Sequence, residues 1–206
     1  RKEDPPKISG VETLRAVTLG LSLPVQESSK LFRQILDEAS NRKGGPQKTD
    51  ARVLIYGSEV DDPILVNLVE ESGANVVADD MCLGSRIYGS DVQNSATPIK
   101  AIARRYLYEI KCPRTYRRLA EEPYEEELDL RFKHIKDYIK DFNVNSVILY
   151  ITRFCDTHEL DTPDVRDYLE SEGLPVLHIE YDYSAGAMGQ VKTRVGAFLE
   201  MMGAEK

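Results

Sequence analysis

The chain has 206 residues and is 41% hydrophobic, enough for one sizeable core. Its 27 Lys and Arg stand against 35 Asp and Glu, and a net charge of -8 offers no broad basic surface for a phosphate backbone, which argues against nucleic acid. No apolar run is long enough to span a membrane, and the opening "RKEDPPKISG" lacks the apolar stretch of a signal peptide, so a cytoplasmic protein is expected.

That opening begins with Arg and is polar and proline-bearing, as expected of a segment from a longer gene product. Apolar residues then recur at helical spacing from Val11 to Leu21 and from Pro24 to about Arg42, giving two helices, and "NRKGGPQKTD" reads as a connecting loop. Residues 1–50 thus form a helical lead-in, and residues 51–206 a single α/β domain.

"ARVLIYGSE" is a first strand ending in Gly57, and "DDPILVNLVEESG" supplies a capping Asp, an early Pro63 and a terminal Gly73 for a helix. "ANVVADD" is a second strand. The run "MCLGSRIYGSDVQNSAT" reads as a long loop of the kind that often carries function. "TPIKAIARRYLYEI" predicts a helix with Ile99, Ile102, Ala103, Tyr106 and Leu107 on one face. A second amphipathic helix follows from Leu128, Phe132, Ile135, Ile139 and Phe142, its charged remainder read as solvated surface. "NSVILYITRF" is the third strand, "TPDVRDYLESEG" the third crossover helix with His158 in the loop before it, "LPVLHIEYDY" the fourth strand and "GQVKTRVGAFLEMM" the closing helix. Alternating strands and helices imply a doubly wound sheet of about four parallel strands, with helices on both faces.

Ligands of such sheets bind beyond the carboxyl ends of the strands. The residues there are Gly57, Ser58 and Glu59; Asp79, Asp80 and Cys82; Arg153, Cys155 and Asp156; Glu180 and Asp182. Three widely spaced cysteines make no disulfide framework, yet two of them fall on this rim. Cys155 stands at the mouth of an apolar run, near Arg153 and a helix start, where a thiol is placed to be held as the thiolate that binds metals or attacks electrophiles. Cys112 follows a helix, with Pro113 ending regular structure, and its role stays open. Lys111, Arg114, Arg117 and Arg118 around it could bind anionic groups, although solvated charge is the commoner explanation. Neither a dinucleotide fingerprint nor a P-loop is present, and without C-x-x-C pairs a zinc ribbon is not expected. A Cys155–His158 nucleophilic pair is conceivable, but no third orienting group is evident.

Taken together, "DDMCLGSR", "KCPR", "RFCDTHELDTPDVRDYLESEGLPVLHIEYD" and "GQVKTRVGAFLEMM" resemble, in this order and at these separations, the carboxyl-terminal half of a 2-hydroxyacyl-CoA dehydratase or benzoyl-CoA reductase subunit, from about Ser9 to Met202. The resemblance implies a flavodoxin-like domain of a longer subunit, inactive as an isolated portion, in an anaerobic enzyme that passes a low-potential electron to an acyl-CoA thioester. It implies a 4Fe-4S cluster held by cysteines, with Cys155 carried over first and Cys82 and Cys112 after it. The implied partners are a second homologous subunit, an ATP-dependent iron–sulfur activator and the acyl-CoA. Gln190 and Arg194 match the closing-helix motif, where helix packing is as good an explanation as ligand contact. The alternatives are a double-cubane cluster reductase of small molecules and a non-catalytic flavodoxin-like assembly domain.

Overall fold

The aliphatic runs form strands β1 (Ala51–Gly57), β2 (Ala74–Asp80), β3 (Ser146–Thr152) and β4 (Val176–Tyr181). In the computed structural model, which describes residues 1–115, 123–184, 186 and 188–203, they pair in one all-parallel sheet of order β2-β1-β3-β4. This is the expected α/β architecture, consistent with a flavodoxin-like fold. The order reverses between β1 and β3, so the crevice beyond their ends is the switch point where ligands of such sheets bind.

Side chains of successive strand residues point to opposite faces, and two apolar layers result. On one face Val53, Ile55, Ile148 and Tyr150 pack with helices α1 (Gly10–Ser22), α3 (Ile64–Glu71) and α7 (Met188–Met201) through Val11, Leu14, Leu65, Val69, Val195 and Leu199. The other face joins Leu54, Tyr56, Val147 and Leu149 to helices α5 (Tyr124–Phe142) and α6 (Asp156–Ser171) through Leu128, Phe132, Ile135, Val165 and Leu169. Burying one such side chain stabilises by roughly 1.5–3 kcal/mol. The lead-in contributes directly to this core through α1, and helix α2 (Val25–Asn41) follows α1.

One irregularity in β2 matters for the site. Val53 pairs with Val76 but Leu54 pairs with Ala78, a bulge that inserts Val77. Val77 and Ala78 therefore both enter the α5–α6 layer, and the alternation beyond them is reversed. Asp80 consequently lies opposite Tyr56, on the face that α5 covers.

Two glycines meet constraints that favour or require glycine. Gly73 ends α3 with φ 93°. At Gly57 a Cβ atom would fall 1.9 Å from the Tyr150 carbonyl oxygen, so only glycine lets β1 close on β3 at the switch point.

Two expectations are corrected, and one apolar helix face is found exposed. Helix α4 (Pro98–Arg104) and the π-helical turn Arg105–Glu109 that extends it do not bury the predicted apolar stripe. Ile99, Ile102, Tyr106 and Leu107 are exposed, and the inward positions are Ala101 and Arg105. The Arg105 guanidinium holds the segment by donating to the carbonyls of Ser90, at 2.6 Å, and Ile87. The charged face of α5 is not all solvated surface: Arg131, with only 9% of its side chain exposed, bridges to Asp161 and to Asp164 at 2.8 Å and ties α5 to α6. Finally, α6 starts at Asp156 rather than near Thr162, running through Pro163, and His158 belongs to its first turn.

Candidate functional site

Cys155 occupies the N-cap of α6, and the backbone N–H groups of His158 and Glu159 both donate to its carbonyl, at 2.9 and 3.0 Å. Acidic Asp156 and Glu159 in the first turn complement the helix dipole. The residue before it, Phe154, has φ 70° and is 84% exposed. A bulky residue in the left-handed region is strained by about 1–3 kcal/mol and such strain clusters at functional sites. Phe154→Asn, which tolerates this conformation and loses no core contact, should stabilise the chain by about 1 kcal/mol, read as a rise of roughly 2–4 °C in Tm; an unchanged or lowered Tm would mean that the aromatic ring compensates for the backbone.

The second cysteine is fixed from β2. Cys82 donates its backbone N–H to the Ser58 carbonyl at 3.3 Å, joining the ends of β1 and β2. The long loop then makes a short 3-10 turn, Ser85–Tyr88, which turns Arg86 inward. Arg86 is buried, 5% exposed, and its partners are all at the rim. Nε donates to Asp80 Oδ1 at 2.8 Å and Nη2 to the Asp80 carbonyl at 2.6 Å. Nη1 faces Cys82 Sγ at 3.6 Å and His158 Nε2 at 3.4 Å. The guanidinium also lies 5.7 Å from the Tyr56 ring centroid. His134 Nε2 meets the other Asp80 oxygen at 2.9 Å.

His158, buried behind Tyr56, completes the link to the third strand, its Nδ1 lying 3.4 Å from Cys155 Sγ. Arginine has no acceptor and keeps its protons, so the nitrogen it faces, Nε2, must offer its lone pair. The ring proton then sits on Nδ1 and points at the Cys155 sulfur. Burial, reinforced by the Arg86 charge, lowers the His158 pKa to about 4, so the ring stays neutral at pH 7. The third group missing from the Cys-His pair is therefore present, but it is a cation. An imidazole already protonated at Nδ1 and kept from a second proton is a poor base for the thiol, which disfavours a nucleophilic pair.

Burial pushes the Cys82 thiol up in pKa, and the Arg86 charge beside it pulls the other way. All three thiols are half-buried and free. Cys112 lines a cavity of about 820 Å³ between α4 and α5, whose wall also includes Tyr56, Leu107, Phe132, His134 and Lys100. Arg153, expected beside Cys155, turns away to Asp182 at 3.1 Å, whereas Arg86 faces Cys82. Lys111 lines the cavity as well, while Arg117 and Arg118 lie outside the described residues. Arg194 donates to the His178 carbonyl at 2.6 Å, joining α7 to β4, and Gln190 is exposed.

Among the described residues no group of three or more His, Cys, Asp or Glu side chains is set to hold a single metal ion. A four-iron cluster poses a different test, because its irons sit at separate corners and its thiolates need not converge on one point. Two half-buried thiols on the rim, each facing an N–H donor, and a third on the cavity wall have the donor chemistry that such a cluster takes.

Similarity to known proteins extends over nearly the whole chain. The family profile described as 2-hydroxyglutaryl-CoA dehydratase, D-component, matches residues 1–202. The chain belongs to this D-component family. Similar proteins include the (R)-phenyllactyl-CoA dehydratase beta subunit of Clostridium sporogenes, 27% identical over 86% of this chain and 44% of that protein. A benzoyl-CoA reductase subunit of Thauera aromatica is 25% identical over 97% of this chain and 50% of its own. The (R)-2-hydroxyglutaryl-CoA dehydratase subunit beta of Acidaminococcus fermentans is 22% identical over 73% of this chain and 38% of its own. The D-component chain thus spans about half the length, or less, of these curated relatives. None of its helices among the described residues is long and apolar enough to cross a membrane.

Proposed function

We propose that this chain is part of an iron–sulfur subunit of a 2-hydroxyacyl-CoA dehydratase or benzoyl-CoA reductase type enzyme, with residues 1–50 as its helical lead-in and residues 51–206 as its α/β domain. The observation that supports the reading is that Cys82 and Cys155, just past the carboxyl ends of β2 and β3, are linked through Arg86 and His158 in a chain of this family, while Cys112 lines the neighbouring cavity. A 4Fe-4S cluster, when bound, supplies a one-electron carrier of low potential. Cys155, Cys82 and Cys112 are the thiolates that would hold it.

The chain's own residues prepare the surroundings. Tyr56, Leu107 and Phe132 give the neighbouring cavity apolar walls, and Lys100, Arg104 and Lys111 line it with cations suited to the phosphates of an acyl-CoA. The carboxylates of that wall, Glu127 and Asp161, are both bridged by Arg131. The proposed partners are a second homologous subunit and an ATP-dependent iron–sulfur activator, in an anaerobic cytoplasm.

The test is to purify the intact subunit without oxygen, measure iron and sulfide, and record the low-temperature EPR of the reduced form. Cys155→Ala should lose most of the iron; a variant that keeps the full complement would falsify the ligand role. Turnover with activator and partner present, assayed side by side on a 2-hydroxyacyl-CoA and on benzoyl-CoA, assigns the reaction. No turnover of either, together with no protection of the complex from proteolysis by acyl-CoA, argues for an assembly domain or a small-molecule reductase.

A further inference from the structure

Arg86 touches both rim sulfurs, one directly and one through a neighbour. Its Nη1 stands 3.6 Å from Cys82 Sγ and 3.4 Å from His158 Nε2, and His158 Nδ1 stands 3.4 Å from Cys155 Sγ. The direction of every hydrogen bond along this path is set by the guanidinium, which can only donate. One proton from Arg86 goes towards Cys82, another towards the imidazole, and the imidazole is left with its own proton on the side of Cys155. The arrangement is held rigidly: Arg86 and His158 are 5% and 1% exposed, and Asp80 clamps the guanidinium through its carboxylate and its carbonyl.

We propose that Arg86 and His158 form a hydrogen-bond relay that donates to the sulfurs of Cys82 and Cys155 and so sets the reduction potential of the centre these cysteines hold. The inference rests on the iron–sulfur reading above. An N–H group aimed at a ligating sulfur draws electron density from it and stabilises the added negative charge of the reduced state, which raises the potential. The Asp80 carboxylate neutralises the net charge of Arg86 nearby, so the directed N–H bonds, rather than the bare cation, are left to act. Both residues are therefore positioning residues: neither needs to touch the substrate.

The experiment uses the intact subunit, reconstituted with iron and sulfide without oxygen and titrated with titanium(III) citrate while the reduced signal is followed by EPR. His158→Phe keeps the ring volume and removes the donor. It should retain its iron and shift the midpoint to more negative potential by about 59 mV, a tenfold change in the reduced fraction for a one-electron couple. His158→Asn, whose amide N–H takes the place of Nδ1–H, should stay near the wild-type value. Should the Phe variant lose its iron, His158→Gln replaces it, since the longer amide reaches towards Arg86 instead of Cys155 and should also fall below Asn. Equal midpoints in iron-replete variants overturn the relay alone, and the iron–sulfur reading survives. A wild-type subunit that takes up no iron sinks that reading, and the relay with it.

Discussion

Replacing Arg86 by methionine should lower the unfolding free energy by about 3–5 kcal/mol, the range for breaking a buried ion pair from one side. Asp80 and Arg86 have side-chain exposures of 1% and 4% and meet at 2.8 Å. Burial alone would push the Asp80 carboxyl up in pKa, yet Arg86 beside it and the His134 hydrogen bond hold it well below the usual carboxylate range. Methionine leaves that carboxylate in place with its main partner gone. Arg86→Lys should recover only part of the loss, because one ammonium cannot reach the Asp80 carboxylate, its carbonyl, Cys82 and His158 together. Asp80→Leu combined with Arg86→Met should be far less damaging than the single change, since no charge is then stranded. Urea unfolding at pH 7 measures all three. A loss below about 1 kcal/mol for Arg86→Met would mean that water reaches the pair.

The same residue shows where reading the sequence stops. The sheet, its parallel order and the α5 stripe are written in local periodicity, because Leu54, Leu149, Phe132 and Ile135 need only a face to bury, and alternation reveals it. Cys155 and Cys82 are recognisable at strand ends. Arg86 is not, because it sits in a glycine-containing loop, and nothing in "LGSRIYG" says which way the chain turns. Asp80 faces it only because the bulge at Val77 reverses the alternation, and a bulge of this kind has no period to detect. His158 reads as a loop residue because Pro163 looks like a first-turn residue; α6 runs through that proline after starting at Asp156. A capping-type start at Asp156 with Glu159 three residues on is the available signal. Helix α4 departs for another reason: its apolar stripe is real, but a stripe states only that a surface is apolar, and here Arg105, not the stripe, faces the protein.

Stability should also fall as the pH drops from 6.5 to 4, with His158 as the main source. Its folded pKa is lowered to about 4 from an ordinary value of 6.5, first by burial and then by Arg86. Between those values the unfolded chain binds a proton that the folded chain refuses, so unfolding is favoured as the pH falls. At 1.36 kcal/mol per pKa unit the full contribution is about 3 kcal/mol. Asp80 extends the trend in the same direction: its depressed folded pKa gives stability that is present above 3.8 and lost as the pH falls below it. Glu70 opposes both, since burial raises its pKa and protonation then favours the folded state. The raw slope therefore mixes signs, and the difference between wild type and His158→Asn isolates the histidine. Urea midpoints taken from pH 7.5 to 4.5 should converge as the pH is lowered if wild type begins the more stable. Parallel curves for the two proteins would show that His158 takes its proton in the folded state after all, and the fixed tautomer facing Cys155 would go with it.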